Sequence, residues 1–135
     1  MKEFWRFIEL VIAALGAWIG LFLGECDKLI IALVVFIVAD YLTGVMRATI
    51  EKKLSSEVGF RGICKKILIF VMVGIANVLD TKVIGVPGVL RTAAIFFYIS
   101  NEGISLLENA VAVGLPVPEQ IRDVLEQLRK EKEYE

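Results

Sequence analysis

Residues 29–46 read LIIALVVFIVADYLTGVM, and Asp40 is the only charged residue among these eighteen. A run of this length and apolarity crosses the ~30 Å hydrocarbon core of a bilayer as one helix. On either side of it the chain carries three more apolar blocks, at residues 7–24, 63–80 and 91–113. The blocks predict an all-α integral membrane protein with four transmembrane helices, forming a single membrane domain over residues 1–135.

The third block is the shortest of the four. Within this block, the stretch without lysine or aspartate is residues 67–79. It gives ~20 Å of helix at 1.5 Å per residue. Counting from residue 63 restores a full span if Lys65 and Lys66 extend their ammonium groups toward the lipid headgroups. We therefore expect both lysines at the membrane surface.

Composition agrees with a membrane chain and excludes several other classes. The 135 residues are 57% hydrophobic and 23% charged, with a mean hydropathy of +0.71, whereas soluble domains run at about 45–50% apolar. The net charge of -1 argues against a nucleic-acid partner. The chain has no histidine and no CxxC, so we expect no metal site, no cofactor and no enzymatic activity.

The positive charges predict the orientation. With four spans and a cytoplasmic N-terminus, twelve of the fifteen Lys and Arg residues lie on the inside. Both termini are then cytoplasmic, and Cys26 and Cys64 lie on opposite sides of the membrane and stay unpaired. Two alternatives remain: three spans with one interfacial helix, and a first block that is a cleaved signal, although its end lacks an A-x-A pattern.

The residues after the fourth block predict a cytoplasmic amphipathic helix at 118–135. Pro118 suits a first helical turn, and apolar residues then recur at i, i+3, i+4 and i+7. This tail stripe consists of Ile121, Val124, Leu125 and Leu128.

The first block carries three glycines at four-residue spacing, Gly16, Gly20 and Gly24. Small residues at this spacing let another helix backbone approach closely in a membrane. They predict a packing face, whose partner is either another part of this chain or a second copy.

The later blocks carry polar residues inside apolar sequence. In the fourth block the strongly polar residues share an arc of roughly 120° on a helix. A carboxylate at mid-membrane costs about 2.5–3.5 kcal/mol, so these helices need partners, water or an interfacial position. The proposed polar face comprises Asp40, Asn77, Asp80, Asn101, Glu102, Ser105, Glu108 and Asn109.

Two interpretations of this polar face stay open. In one, the faces of several copies line a water-filled pore, because a single four-helix bundle has a packed core and no lumen. In the other, the polar side chains satisfy each other inside a compact bundle that conducts nothing.

Four motifs, in order, connect the chain to a known family. They are DYLTGV at 40–45, KLSSEVGFRG at 53–62, FYISNEGISLLEN at 97–109 and LPVP at 115–118. Together they resemble the toxin-secretion/phage-lysis holin family of Gram-positive bacteria and their phages, over essentially the whole chain.

The resemblance implies a protein that accumulates in the bacterial cytoplasmic membrane and forms homo-oligomers. The resulting lesions release an endolysin, or in some members a large toxin, without a stable direct complex with that cargo. The family has no catalytic residues to carry over. Two alternatives to this function are a small oligomeric ion channel or transporter, and a scaffold that works through its tail helix.

Overall fold

The computed structural model describes residues 1–133, apart from the side chains of Leu125, Leu128, Arg129, Lys132 and Glu133. The fold is all-α, as predicted, with no strand in the described range. The third α-helix continues without a break into a π-helical segment, Leu79–Ile84. The α-helices are α1 (Lys2–Leu23), α2 (Lys28–Ile50), α3 (Ser56–Val78), α4 (Val89–Val113) and α5 (Glu119–Glu133).

Short polar side chains set where the helices begin. The Asp27 carboxylate accepts a hydrogen bond from the backbone N–H of Ile30 at 3.0 Å, and the Ser55 hydroxyl accepts one from Val58 at 3.2 Å. Each bond satisfies an N–H group that has no partner within its helix. Gly24 ends α1 with φ at +86°, a conformation that favours glycine.

Three helices form the bundle. α2 and α4 lie side by side and run in the same direction, since Asp27 meets Arg91 at one end and Asp40 meets Asn109 further along. α3 packs against both and runs the opposite way. The core between them consists of Ile30, Leu33, Ile37, Ile69, Val73 and Ile95.

α1 stands largely apart from this bundle. Residues 2–21 are exposed except for half-buried Ile8, and contact with α3 is made at the C-terminal end of α1. There the Phe22 ring fills a notch at Gly74, where an added Cβ would fall 2.0 Å from a ring atom. A Cβ added at Gly16 or Gly20 would meet no other part of the described chain within 4 Å, and Gly24 lies beyond the helix end.

Three helices are long and apolar enough to cross a membrane: Lys2–Leu23, Lys28–Ile50 and Ser56–Ile84. The prediction of four spans is therefore not confirmed, and the three-span alternative fits. α4 is long enough, but Arg91, Glu102 and Glu108 lower its apolar character, and most of its polar groups face the bundle.

The tail forms α5, whose described side chains are mostly exposed. In the predicted stripe Ile121 is half-buried and Val124 is 54% exposed. The side chains of Leu125 and Leu128 lie outside the described part of the chain, so the stripe as a whole stays a prediction.

Candidate functional site

A buried charged cluster joins the three bundle helices. Lys66 of α3 contacts the carboxylates of Asp40 on α2 and Glu102 on α4. The three side chains are 17%, 8% and 5% exposed, respectively. One ammonium group therefore bridges two carboxylates, and each pair links a different helix to α3.

Two further side chains hold Asp40 in place. The Asn109 amide donates to Asp40 Oδ1 at 3.1 Å and to the Thr43 hydroxyl at 3.1 Å. The Thr43 hydroxyl in turn donates to the carbonyl of Ala39 at 2.8 Å. The carboxylate of Asp40 thus receives hydrogen bonds from both α3 and α4, which reduces the cost of burying it.

An open cavity of about 350 Å³ adjoins the cluster. Its wall adds exposed Lys65 and Asn101 and half-buried Tyr98, Ser105 and Glu108 to the three clustered residues. The polar side chains of α4 that the sequence placed on one face therefore do meet, around the cluster and its cavity.

A second polar site lies at the opposite end of the bundle from the α2–α3 loop, where Arg91 binds the loop between α1 and α2. We call it the outer site. Its guanidinium donates to the carbonyls of Leu23 and Glu25, each at 2.7 Å, and to Asp27 Oδ2 at 2.8 Å. Arg91 is 6% exposed. Its hydrogen bonds hold the pKa of Asp27 below the ordinary value, and they tie the end of α1 to the start of α4.

Asp80 and Asn77 complete this outer site. The fully buried Asp80 carboxylate accepts hydrogen bonds from the backbone N–H groups of Leu90 at 2.8 Å and Arg91 at 2.9 Å, so it caps α4. The Asn77 amide donates to the carbonyl of Phe22 at 3.1 Å at the end of α1. Both residues therefore hold helix ends.

The structure divides the predicted polar face into two groups. Asp40, Glu102 and Asn109 belong to the charged cluster around Lys66, whereas Asn77 and Asp80 belong to the outer site around Arg91. The buried members are hydrogen-bonded within the chain, and among the described residues no fully buried side-chain polar atom lacks a partner. Whether the face meets water in an assembly stays a prediction.

The sequence analysis placed Lys66 at the lipid headgroups, and this prediction was wrong. Lys66 points into the bundle and pairs with Asp40 and Glu102. The signal was available: two carboxylates in separate apolar blocks need a cation, and Lys66 is near the start of the block between them. The pairing of Asp27 with Arg91 and the capping of α4 by Asp80 were not predicted either, because these contacts join residues far apart in the chain.

Comparison of the sequence with known proteins shows to which family the chain is similar. A family model described as the bacteriophage holin family matches residues 17–130. An uncharacterized 14.9 kDa protein in the nagH 3′ region of Clostridium perfringens is 42% identical over 132 residues, covering 98% of this chain and 100% of the relative. A probable holin of Bacillus phage phi105 is 40% identical over 102 residues, covering 76% and 74%. No solved structure matches the chain.

Proposed function

We propose, because the chain belongs to the bacteriophage holin family, that it assembles in the bacterial cytoplasmic membrane and opens lesions. Endolysin, or a large toxin, then crosses the membrane through these lesions without forming a stable complex with the chain. Three helices apolar enough to span a membrane support the location. The role is that of a passive pore, so it requires no catalytic residue, cofactor or metal.

We further propose that α4 crosses the membrane as a fourth span, which puts both termini on the same side. The excess of Lys and Arg on that side makes it the cytoplasmic one. Supporting this, α4 begins beside the start of α2 at the Arg91–Asp27 pair and runs along it at least to Asp40. A helix that follows a spanning helix in parallel traverses most of the same thickness. Its polar side chains tolerate that depth because α2 and α3 cover most of them.

The observation that carries the proposed mechanism is the Asp40–Lys66–Glu102 cluster. It pairs two intramembrane carboxylates with one shared ammonium group within one copy, so an isolated copy is a closed bundle. Opening the cluster would leave these side chains in need of water or new partners, and a lesion between several copies supplies water. We propose that the polar face then lines the lesion, with Asp40, Glu102, Ser105, Glu108 and Asn109 nearest to the opened cluster.

The function is tested by inducible expression in a bacterial host, with and without a co-expressed soluble endolysin. We expect loss of membrane potential, release of a cytoplasmic reporter protein, and lysis only when endolysin is present. High expression without permeabilisation would overturn the proposal. Loss of potential without reporter release or lysis would instead indicate a small ion channel, for which the 350 Å³ cavity beside Lys66 is a suitable feature.

The role of the cluster is tested with Lys66→Gln, which removes the shared cation. At equal expression we expect lysis to begin at a different time after induction than with the parent protein, because the closed bundle loses the ion pairs of Lys66. Lys53→Gln is the matched control, since Lys53 is exposed in the loop between α2 and α3. Identical onset for both variants and the parent would show that the cluster does not control opening.

A further inference from the structure

One face of α1 has no partner among the residues that the structure describes. Glu9, Ala13, Gly16 and Gly20 follow one another at spacings of four, three and four residues, which places them on one side of the helix. All four are exposed, and no cation of the described residues pairs with Glu9. We call this set the α1 face.

At its outer end the α1 face borders an open groove. The groove measures about 850 Å³, and Ala17 and Gly20 line it on the α1 side, with Asn77 and Thr81 opposite. Phe22, which docks on α3, projects from the other side of α1, about 220° from Glu9 at 100° per residue. The contact between α1 and α3 inside the chain therefore leaves the α1 face open.

A complementary face lies on α3. Lys65, Leu68, Met72 and Ile75 are spaced by three, four and three residues, and all are exposed, the three apolar ones at 59%, 47% and 44%. Gly74, which receives Phe22, is about 180° around the helix from Lys65 and about 100° from Ile75, the nearest of the four. We call this set the α3 face. It offers large side chains and one cation, whereas the α1 face offers small residues and one carboxylate.

The two faces match in position along the membrane normal. The hydrogen bonds from Asn77 to the carbonyls of Leu21 and Phe22 set the outer ends of α1 and α3 level with each other. Glu9 lies 12 residues before Leu21, and Lys65 lies 12 residues before Asn77. At 1.5 Å per residue both charges are about 18 Å inward from the same level, when each helix spans the membrane.

We propose that copies of this chain pack side by side through the α1 face of one and the α3 face of the next. Glu9 then pairs with Lys65 of the neighbouring copy, while Leu68, Met72 and Ile75 of that copy fill the spaces over Ala13, Gly16 and Gly20. This deepens the proposed function, on which it rests for assembly in a membrane. The two faces differ, so the contact is head-to-tail and repeats around a ring or along an array.

The contact is tested by disulfide crosslinking in isolated membranes, in a background of Cys26→Ser and Cys64→Ser. One copy carries Ala13→Cys and a second carries Leu68→Cys, so a covalent dimer forms only between copies. We expect strong dimer formation for this pair. Ala14→Cys with Leu68→Cys is the matched control, since Ala14 is at the same depth but about 100° away from Ala13, and it should stay at background.

Charge exchange provides an independent test. Glu9→Lys alone and Lys65→Glu alone should each weaken association about three- to twentyfold, the range that polar contacts between membrane helices span. Mixing the two variants should restore crosslinking, because the introduced lysine of one copy then meets the introduced glutamate of the other. Melting in detergent should be unchanged for Glu9→Lys, since Glu9 has no charged partner among the described residues of its own chain. Lys65 lines the cavity beside the charged cluster, so for Lys65→Glu the test is the recovery of crosslinking on mixing.

Several results would overturn the contact. Equal crosslinking of positions 13 and 14 with 68 would remove its specificity, and a strong dimer of Ala13→Cys alone would indicate symmetric α1 pairing. No crosslink, with association indifferent to charge exchange, would mean that lipid covers both faces and that Lys65 meets a headgroup. None of these results depends on lysis, so permeabilisation without crosslinking would refute this contact and leave the proposed function standing.

Discussion

Lys66 shows how one side chain organises three helices. Its ammonium group contacts carboxylates from α2 and α4, so no two of these helices separate without leaving a charge unpaired. A lone charge in a membrane interior is costly, and removing one partner of a buried ion pair costs about 3–5 kcal/mol in soluble proteins. Lys66 thus stabilises the closed bundle.

We predict that Lys66→Met lowers the unfolding free energy of the bundle in detergent by about 3 kcal/mol or more. The two carboxylates then face each other without a cation. Adding Asp40→Asn and Glu102→Gln to Lys66→Met should recover part of this loss, because the remaining groups are neutral. Thermal melting followed by circular dichroism measures both, and a triple variant no more stable than Lys66→Met would contradict the explanation.

A second residue-scale prediction concerns pH at the outer site. Arg91 lowers the pKa of Asp27 from its ordinary 3.8, so this pairing stabilises the fold above that value and loses its effect as pH falls through the lowered pKa. Asp27→Asn should therefore reduce stability at pH 7 and have a diminishing effect in strong acid. The Asp27 side chain is 37% exposed, so the loss should be at most about 1 kcal/mol.

The measurement for Asp27 is the difference in melting temperature between variant and parent across acidic pH. Lys28→Gln serves as the control, since Lys28 is the exposed neighbour of Asp27. A difference that persists unchanged into strong acid would mean that the effect of Asp27 does not come from its negative charge.

At the scale of elements, α1 depends on one aromatic contact. The notch at Gly74 receives Phe22, which also stacks on Trp18 with ring centroids 6.0 Å apart. Most of the remaining helix is exposed in the described part of the chain. Its position is therefore set at the outer end, by this contact together with Asn77 and Arg91.

We predict that Gly74→Leu displaces α1, at a cost of about 1–3 kcal/mol typical of overpacking. An added Cβ already overlaps the Phe22 ring, and the larger side chain occupies its place. Trp18 fluorescence should shift as the stacked ring moves away. Gly16→Leu is the control within one copy, because Gly16 has open space around it, and an equal shift in both variants would contradict the notch.

For the molecule as a whole, the parallel course of α2 and α4 is the basis on which we predict four spans. The four-span arrangement puts Cys26 outside and Gln120, at the start of α5, inside. A membrane-impermeant maleimide should therefore label Cys26 on intact protoplasts of the Cys64→Ser variant. Gln120→Cys, in a chain lacking both native cysteines, should react only after the membrane is opened. External labelling at position 120 would establish three spans.

Much of the architecture could be predicted from sequence, because hydrophobic length and helical spacing are local properties. The apolar blocks marked α1 to α4, and turn residues such as Pro87 and Pro116 marked interruptions between them. The third helix is longer than its apolar block, since the Ser55 cap and the π-helical segment extend it at both ends. Both extensions involve residues that hydropathy does not favour.

Hydropathy and helical spacing are enough to identify a helical membrane chain with polar groups at fixed positions along its helices. How those groups pair is visible only in the packed structure. There Lys66 turns inward to Asp40 and Glu102, Asn77 and Asp80 hold helix ends, and one face of α1 stays exposed. The reason is physical. Periodicity gives the angle of a residue around its own helix, whereas a charge in an apolar interior chooses its partner by distance across helices, which packing alone sets.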